Sequence, residues 1–139
     1  MRLEREFTVR RPAEEVFDYL ADVTNEAKWN HWAKWVRKVG DGPVGQGSVF
    51  RGSYQGFGEL DQDLSEFDRP HRVTYHSAPK GMKDANMTFE LSPAEGGTRV
   101  RIVGAVEPAG LMKLMEPLMP LRMKPHFAEL EKGITRELS

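Results

Sequence analysis

Only once in this chain do apolar residues recur every third and fourth position over a length that covers a sheet, and that is at the end. Met119, Met123, Phe127, Leu130, Ile134 and Leu138 form one stripe, while Lys124, Glu129, Glu131, Lys132 and Arg136 fill the opposite side. Upstream, from Lys34 onward, the apolar period is two. Six runs read as strands, at 35–39, 48–54, 58–67, 72–76, 85–91 and 98–106. A sheet with one apolar face must bury it against something. The last helix is the only element long enough to do so, which predicts an α+β chain whose antiparallel sheet grips a C-terminal helix.

The N-terminal stretch adds a seventh strand. Over residues 3–10, Leu3, Phe7 and Val9 point one way and Glu4, Glu6 and Thr8 the other, with Arg5 the exception on the apolar face. Pro12 then opens a short helix over 13–20, its apolar side made by Val16, Phe17 and Leu20. Glu14 and Glu15 suit the positive end of its dipole. A second short helix is predicted from Asn25 to Trp29, with Asp22 or Thr24 as its cap. Residues 40–47 are a glycine-dense loop, Asp68-Arg69-Pro70 a turn, and residues 92–97 the reversal of a hairpin. Pro108 is expected to open the C-terminal helical region. Pro117, Pro120 and Pro125 interrupt it, and a proline costs a helix interior about 3 kcal/mol, so a kink or break near 117–120 is expected.

Composition narrows the function. At 139 residues, with no linker and no internal repeat, the whole of 1–139 reads as one domain. A net charge of -1 supplies no electrostatic reason to bind nucleic acid. The absence of cysteine removes disulfides and thiolate chemistry and fits a cytoplasmic protein. No secretory leader is visible at the N-terminus. The longest apolar stretch, 111–123, is too short to span a bilayer and contains Lys113, Glu116 and Arg122.

Metal and nucleotide motifs fail on their spacing or context. His31, His71, His76 and His126 form no helical zinc pair, so no metal or other cofactor is expected. Asp61-x-Asp63 lacks the glycine and terminal glutamate of a calcium loop. Residues 40–45 spell G-x-G-x-x-G, but a strand follows where phosphate binding needs a helix. There is no nucleophile elbow. Lys34, Arg37 and Lys38 around Trp35 read as a solvated strand edge.

Several segments together resemble the SRPBCC or START-like superfamily, which includes the birch-pollen-allergen fold and the polyketide cyclase/dehydratases. They are Phe7-Thr8-Val9-Arg10-Arg11-Pro12-Ala13-Glu14-Glu15-Val16-Phe17, then Asp22 and Trp29, Gly45-Gln46-Gly47 before a strand, Asp68-Arg69-Pro70, and Gly96-Gly97-Thr98-Arg99-Val100. The likeness covers nearly the whole chain, and its marks are packing and punctuation, not chemistry. It implies a helix-grip fold, with a curved seven-stranded sheet, two short helices after the first strand, and a cavity under the long helix. A hydrophobic small molecule such as a lipid, polyketide or quinone would occupy that cavity.

Met112, Met115, Met119 and Met123, at intervals of three, four and four, would share one helix face. Flexible and polarisable, they suit either the lining of such a cavity or a repacking core. Phe89, Phe127 and Trp32 are further candidate contacts. Trp29, Trp32 and Trp35 fit a cavity mouth or the packing of the short helices on the sheet. Alternation places Glu90, His76, Asp61 and Asp63 outside. It places Arg5, Gln62 and Tyr75 inside, together with Arg51 if Val49, Arg51 and Ser53 are the inward set. Tyr75 and Arg51 are then the best inward candidates for a cyclase/dehydratase-like reaction. Three roles stay open: a ligand carrier, such an enzyme, or an interaction module like the heat-shock-ATPase activators, for which an exposed apolar patch near 111–119 would be the mark. The chain is expected to be a monomer or a homodimer.

Overall fold

The computed structural model describes Met1–Ser139. The chain runs β1 (Arg2–Val9), α1 (Ala13–Ala21), a 3-10 turn (Val23–Asn25), α2 (Glu26–Trp29) and β2 (Ala33–Val39). It continues through β3 (Val49–Tyr54), β4 (Gly58–Asp68), β5 (Arg72–Ser77), β6 (Met82–Ala94) and β7 (Gly97–Pro108), and ends with a 3-10 segment (Gly110–Leu118) and α3 (Met119–Glu137). All seven strands form one antiparallel sheet, ordered β1-β7-β6-β5-β4-β3-β2. Every neighbour is a sequential hairpin except β1, which closes onto β7. The two short helices therefore carry the chain from one edge of the sheet to the other, beneath its apolar face.

Bulges interrupt the pairing at Ala33/Trp35, Leu64/Glu66 and Met82/Asp84. An extra residue bends its strand and increases its twist, so the sheet curves. The hollow of that curve holds the core. Phe50, Leu64, Val73, Phe89, Val100 and Ile102 from the sheet meet Phe17, Leu20 and Trp29 from the short helices and Leu130 and Ile134 from α3. This is the helix-grip arrangement that the periodicities predict.

Local chemistry explains the helix ends. The Asp22 carboxylate accepts the Thr24 N–H at 3.1 Å and starts the 3-10 turn. Gly133 is what lets α3 lie against α2, since a Cβ there would stand 2.1 Å from the Trp29 carbonyl oxygen. Arg5, the charged residue on the inner face of β1, finds its anion in Glu131 of α3 at 2.7 Å.

Three local expectations need correcting. Ser92 and Pro93 belong to β6, and the hairpin reverses over Glu95-Gly96 alone, because pairing persists to Ala94↔Gly97. Pro108 ends β7 and does not open a helix. Residues 110–118 wind as 3-10 and not as α; α3 begins at Met119, where Pro120 occupies its tolerant first turn, and Pro125 leaves it unbroken. No helix is long and apolar enough to cross a membrane.

Candidate functional site

A cavity of about 590 Å³ opens between the 3-10 segment, the start of α3 and the nearby loops. Its walls are Trp32, Gly56, Phe57, Lys80, Met82, Met112, Met115, Leu118, Met119, Arg122 and Met123. The 3-10 period of three residues per turn brings Met112, Met115 and Leu118 to one face. Met119 and Met123 continue that face on α3 with the spacing of an α-helix. All four methionines singled out by their spacing thus meet at one wall, although half of them arrive there by a different helical geometry from the one expected. Gly81, at φ +87°, makes room beneath them, since a Cβ would lie 2.9 Å from the Met112 Cγ.

Trp32 forms a second wall, with its position set from both sides. Its backbone N–H donates to the Asn30 Oδ1 at 3.0 Å, and its ring stacks on His126 of α3 with centroids 3.4 Å apart. Arg122 projects over the same indole, its Cζ 5.6 Å from the ring centre. Of the three tryptophans, Trp29 is buried in the core, Trp32 lines the cavity and Trp35 lies exposed on β2.

Two smaller spaces lie nearby. One of about 120 Å³ is bounded by Met123, Phe127, Tyr75, Met87 and Val106 among others, and Met123 is common to it and the large cavity. Another of about 220 Å³ lies between Leu3, Arg5, Lys124 and Phe127. Phe127 therefore borders the two smaller spaces and not the large cavity. Phe89 borders neither; it is fully buried, edge-on to Trp29 at 5.6 Å.

The two weak catalytic candidates are placed elsewhere. Arg51 faces outward, where its guanidinium holds both oxygens of Asp61 at 2.8 and 3.2 Å. The inward set of β3 is Phe50, Gly52 and Tyr54, because the two aromatics supply the buried area and the register puts them on one face. Tyr75 does point inward, but its hydroxyl donates to the Leu20 carbonyl and is committed to the core. His76, Glu90, Asp61 and Asp63 lie on the outer face, as alternation predicts.

Sequence reading missed the one buried acid. Glu26, on α2, lies under the sheet and accepts from the Tyr54 hydroxyl, from Asn30 Nδ2 at 3.0 Å and from Gln62 Nε2 at 3.0 Å. Asn30 is fixed in that orientation because its other terminal atom accepts from Trp32. Burial pushes the Glu26 carboxyl up from its ordinary value, and the three donors pull against that rise. The available signals were the Glu26–Asn30 spacing of one helical turn and the inward position of Gln62. None of these four polar side chains lines the large cavity, whose only ionisable lining groups are Lys80 and Arg122.

The comparisons agree with this architecture. No curated protein sequence matches the chain. A protein from Thermus thermophilus superposes with a TM-score of 0.77 at 17% identity, covering 99% of this chain and 97% of that one. A START superfamily protein from Mycobacterium smegmatis gives 0.76 at 15% identity, covering 99% of each chain. The di-domain ARO/CYC protein BexL from the BE-7585A biosynthetic pathway gives 0.72 at 19% identity, with 96% of this chain matched to 46% of that one. At these identities the likeness shows the fold. The family itself is shown by sequence: residues 1–136 match the model described as polyketide cyclase / dehydrase and lipid transport, and the chain belongs to that family.

Proposed function

We propose that this protein holds an apolar small molecule with an anionic end, its body among the methionines and its charge at the rim. The observation that carries this reading is the cavity of about 590 Å³ with eight hydrophobic residues among its eleven lining residues. That volume and lining suit a small-molecule site, which is typically apolar with few polar groups. Methionine side chains adapt to ligands of varied shape at little cost. Lys80 and Arg122 are the charged lining residues, and neither is in an ion pair with the protein. Two free cations beside an apolar wall favour a carboxylate or similar anion over a neutral molecule.

An enzyme of the cyclase/dehydratase type would need a general acid or base within reach of the ligand. The cavity wall carries no carboxyl, imidazole or phenol, and the buried Glu26 is not part of it. Carriage is therefore favoured over turnover.

The test is thermal stability against a panel of fatty acids, sterols, quinones and aromatic polyketides, each acid paired with its methyl ester. A ligand at a hundredfold excess over its Kd should stabilise the fold by about 2.7 kcal/mol, a shift of several degrees. The acid should outperform its ester in the native protein but not in Arg122→Gln. Met119→Lys should abolish the shift. If no compound moves the midpoint, the carrier reading is wrong.

A further inference from the structure

The 3-10 segment has a second apolar face, and nothing in the fold covers it. With three residues per turn, Met112, Met115 and Leu118 take the cavity side, so Leu111, Leu114 and Pro117 form a separate ridge. Leu111 is 83% exposed and Leu114 77%, and Leu121, on the first turn of α3, extends the ridge at 75%. Large apolar side chains standing singly in water are ordinary, but a contiguous ridge of them marks an interaction surface. Such a ridge does nothing for the stability of the isolated chain.

Charge around the ridge selects the partner. Lys113 flanks it on the adjoining face and Lys124 follows Leu121 by about one turn, and neither is in an ion pair. Glu116, the only acid between Gly110 and Pro125, is half-exposed and has its charge offset by the amino group of Met1 at 3.7 Å. The other acid close by, Glu107, pairs with Lys83 at 3.6 Å. What remains is leucine flanked by free cations, the combination that settles into the interface of an anionic bilayer. A second copy of the chain would oppose cation to cation across a symmetric contact. An aqueous protein partner would need acids in the same places.

We infer that the ridge of Leu111, Leu114 and Leu121, with Lys113 and Lys124, docks the protein on an anionic lipid surface. Docking there would bring the cavity mouth to the membrane, because Met112 and Met115 line the cavity from the neighbouring face of the same turn. This goes beyond the carrier reading and does not depend on the identity of the cargo.

The experiment is co-sedimentation of the full chain with phosphatidylcholine vesicles and with mixed phosphatidylcholine–phosphatidylglycerol vesicles. Binding is expected to the mixed vesicles and to weaken with salt, as screening requires. Leu114→Ser should lower the partition coefficient by about tenfold, since the lost burial corresponds to roughly one decade. Lys113→Gln and Lys124→Gln should each lower it by about fivefold. All these positions are exposed, so an unchanged melting temperature confirms that each variant folds. Cargo binding without vesicles, followed by thermal shift, should be the same in Leu114→Ser as in the native chain, which separates failure of docking from failure of the carrier reading. Absence of binding to the mixed vesicles, or binding that survives Leu114→Ser, overturns the proposal. So does a concentration-dependent dimer in sedimentation velocity that Leu114→Ser abolishes, which would assign the ridge to a second copy.

Discussion

Trp32 and His126 stack face to face, with ring centroids 3.4 Å apart and planes within 7° of parallel. The stack joins the cavity wall to α3 and keeps the imidazole out of water. Burial first, then repulsion from His31 and Arg122, brings the His126 pKa down to about 4, against a smaller upward pull from Glu129. A histidine in the unfolded chain takes its proton near ~6.5. Between those values the unfolded state binds more protons, so stability falls as pH drops through the window. The expected loss from this residue is on the order of 1–2 kcal/mol. Urea unfolding across that range should show the slope, and His126→Gln should flatten it. An unchanged slope in the variant would place the acid sensitivity elsewhere.

His76 should titrate the other way. Its Nδ1 lies 2.8 Å from Asp63 and its Nε2 2.6 Å from Asp84 on the outer sheet face. The hydrogen bond to Asp63 is the main cause of its raised pKa. Its contribution to stability is therefore complete below the unfolded value of ~6.5 and is lost as pH rises through the folded one. Exposure limits the effect to about a few tenths of a kcal/mol. Proton NMR should resolve two midpoints on opposite sides of the ordinary histidine value, and a His76 midpoint below that value would contradict the assignment.

The Glu26 cluster predicts a conditional cost. Tyr54→Phe removes one of the three donors that face the buried carboxylate. A lost hydrogen bond to a buried charged group costs about 1.5–3 kcal/mol. Protonation relieves that loss, so the penalty should be greater at alkaline than at acidic pH. Equal destabilisation at both ends would mean that Glu26 stays protonated throughout.

Gly133→Ala sets two effects against each other. Alanine is the better helix former by about 1 kcal/mol. The new Cβ, however, would stand 2.1 Å from a backbone oxygen of α2, which cannot swing away as a side chain would. Overpacking of this kind costs about 1–3 kcal/mol, so net destabilisation of about 1 kcal/mol is expected in thermal unfolding. A gain in stability would show that α3 slides freely over α2.

Met123 borders both the large cavity and the space of about 120 Å³. Met123→Ala should join the two and move the preferred ligand toward longer apolar chains. The half-buried side chain makes the stability cost modest, about 1 kcal/mol. A chain-length series in the thermal-shift assay reads the change directly. An unmoved optimum would mean that ligand does not extend past residue 123.

Much of this architecture was legible in the residues. Period two against period three-to-four separated sheet from helix, and the glycine-proline punctuation bounded the strands. The four methionines were recognisable as a group because a core rarely asks for that many on one side. The reading of β3 failed because Val49 was taken to mark the inward set, whereas the two aromatics of the other set, Phe50 and Tyr54, carry more apolar area and are the buried pair. Glu26 was illegible for another reason. Its donors come from residues 28 and 36 positions away in sequence as well as one helical turn on, and nothing local marks a glutamate as buried.

No residue of the segment Gly110–Leu118 is buried, and yet it supplies three of the residues that line the cavity. The part of the molecule that walls the cavity thus contributes little to holding the molecule together. Substitutions along that turn can reshape what is accepted while the sheet and α3 keep their stability. Selection on the cavity lining would therefore meet almost no opposition from selection for folding. Relatives sharing this scaffold at low identity can be expected to differ most in that turn and least in the face of α3 that touches the sheet.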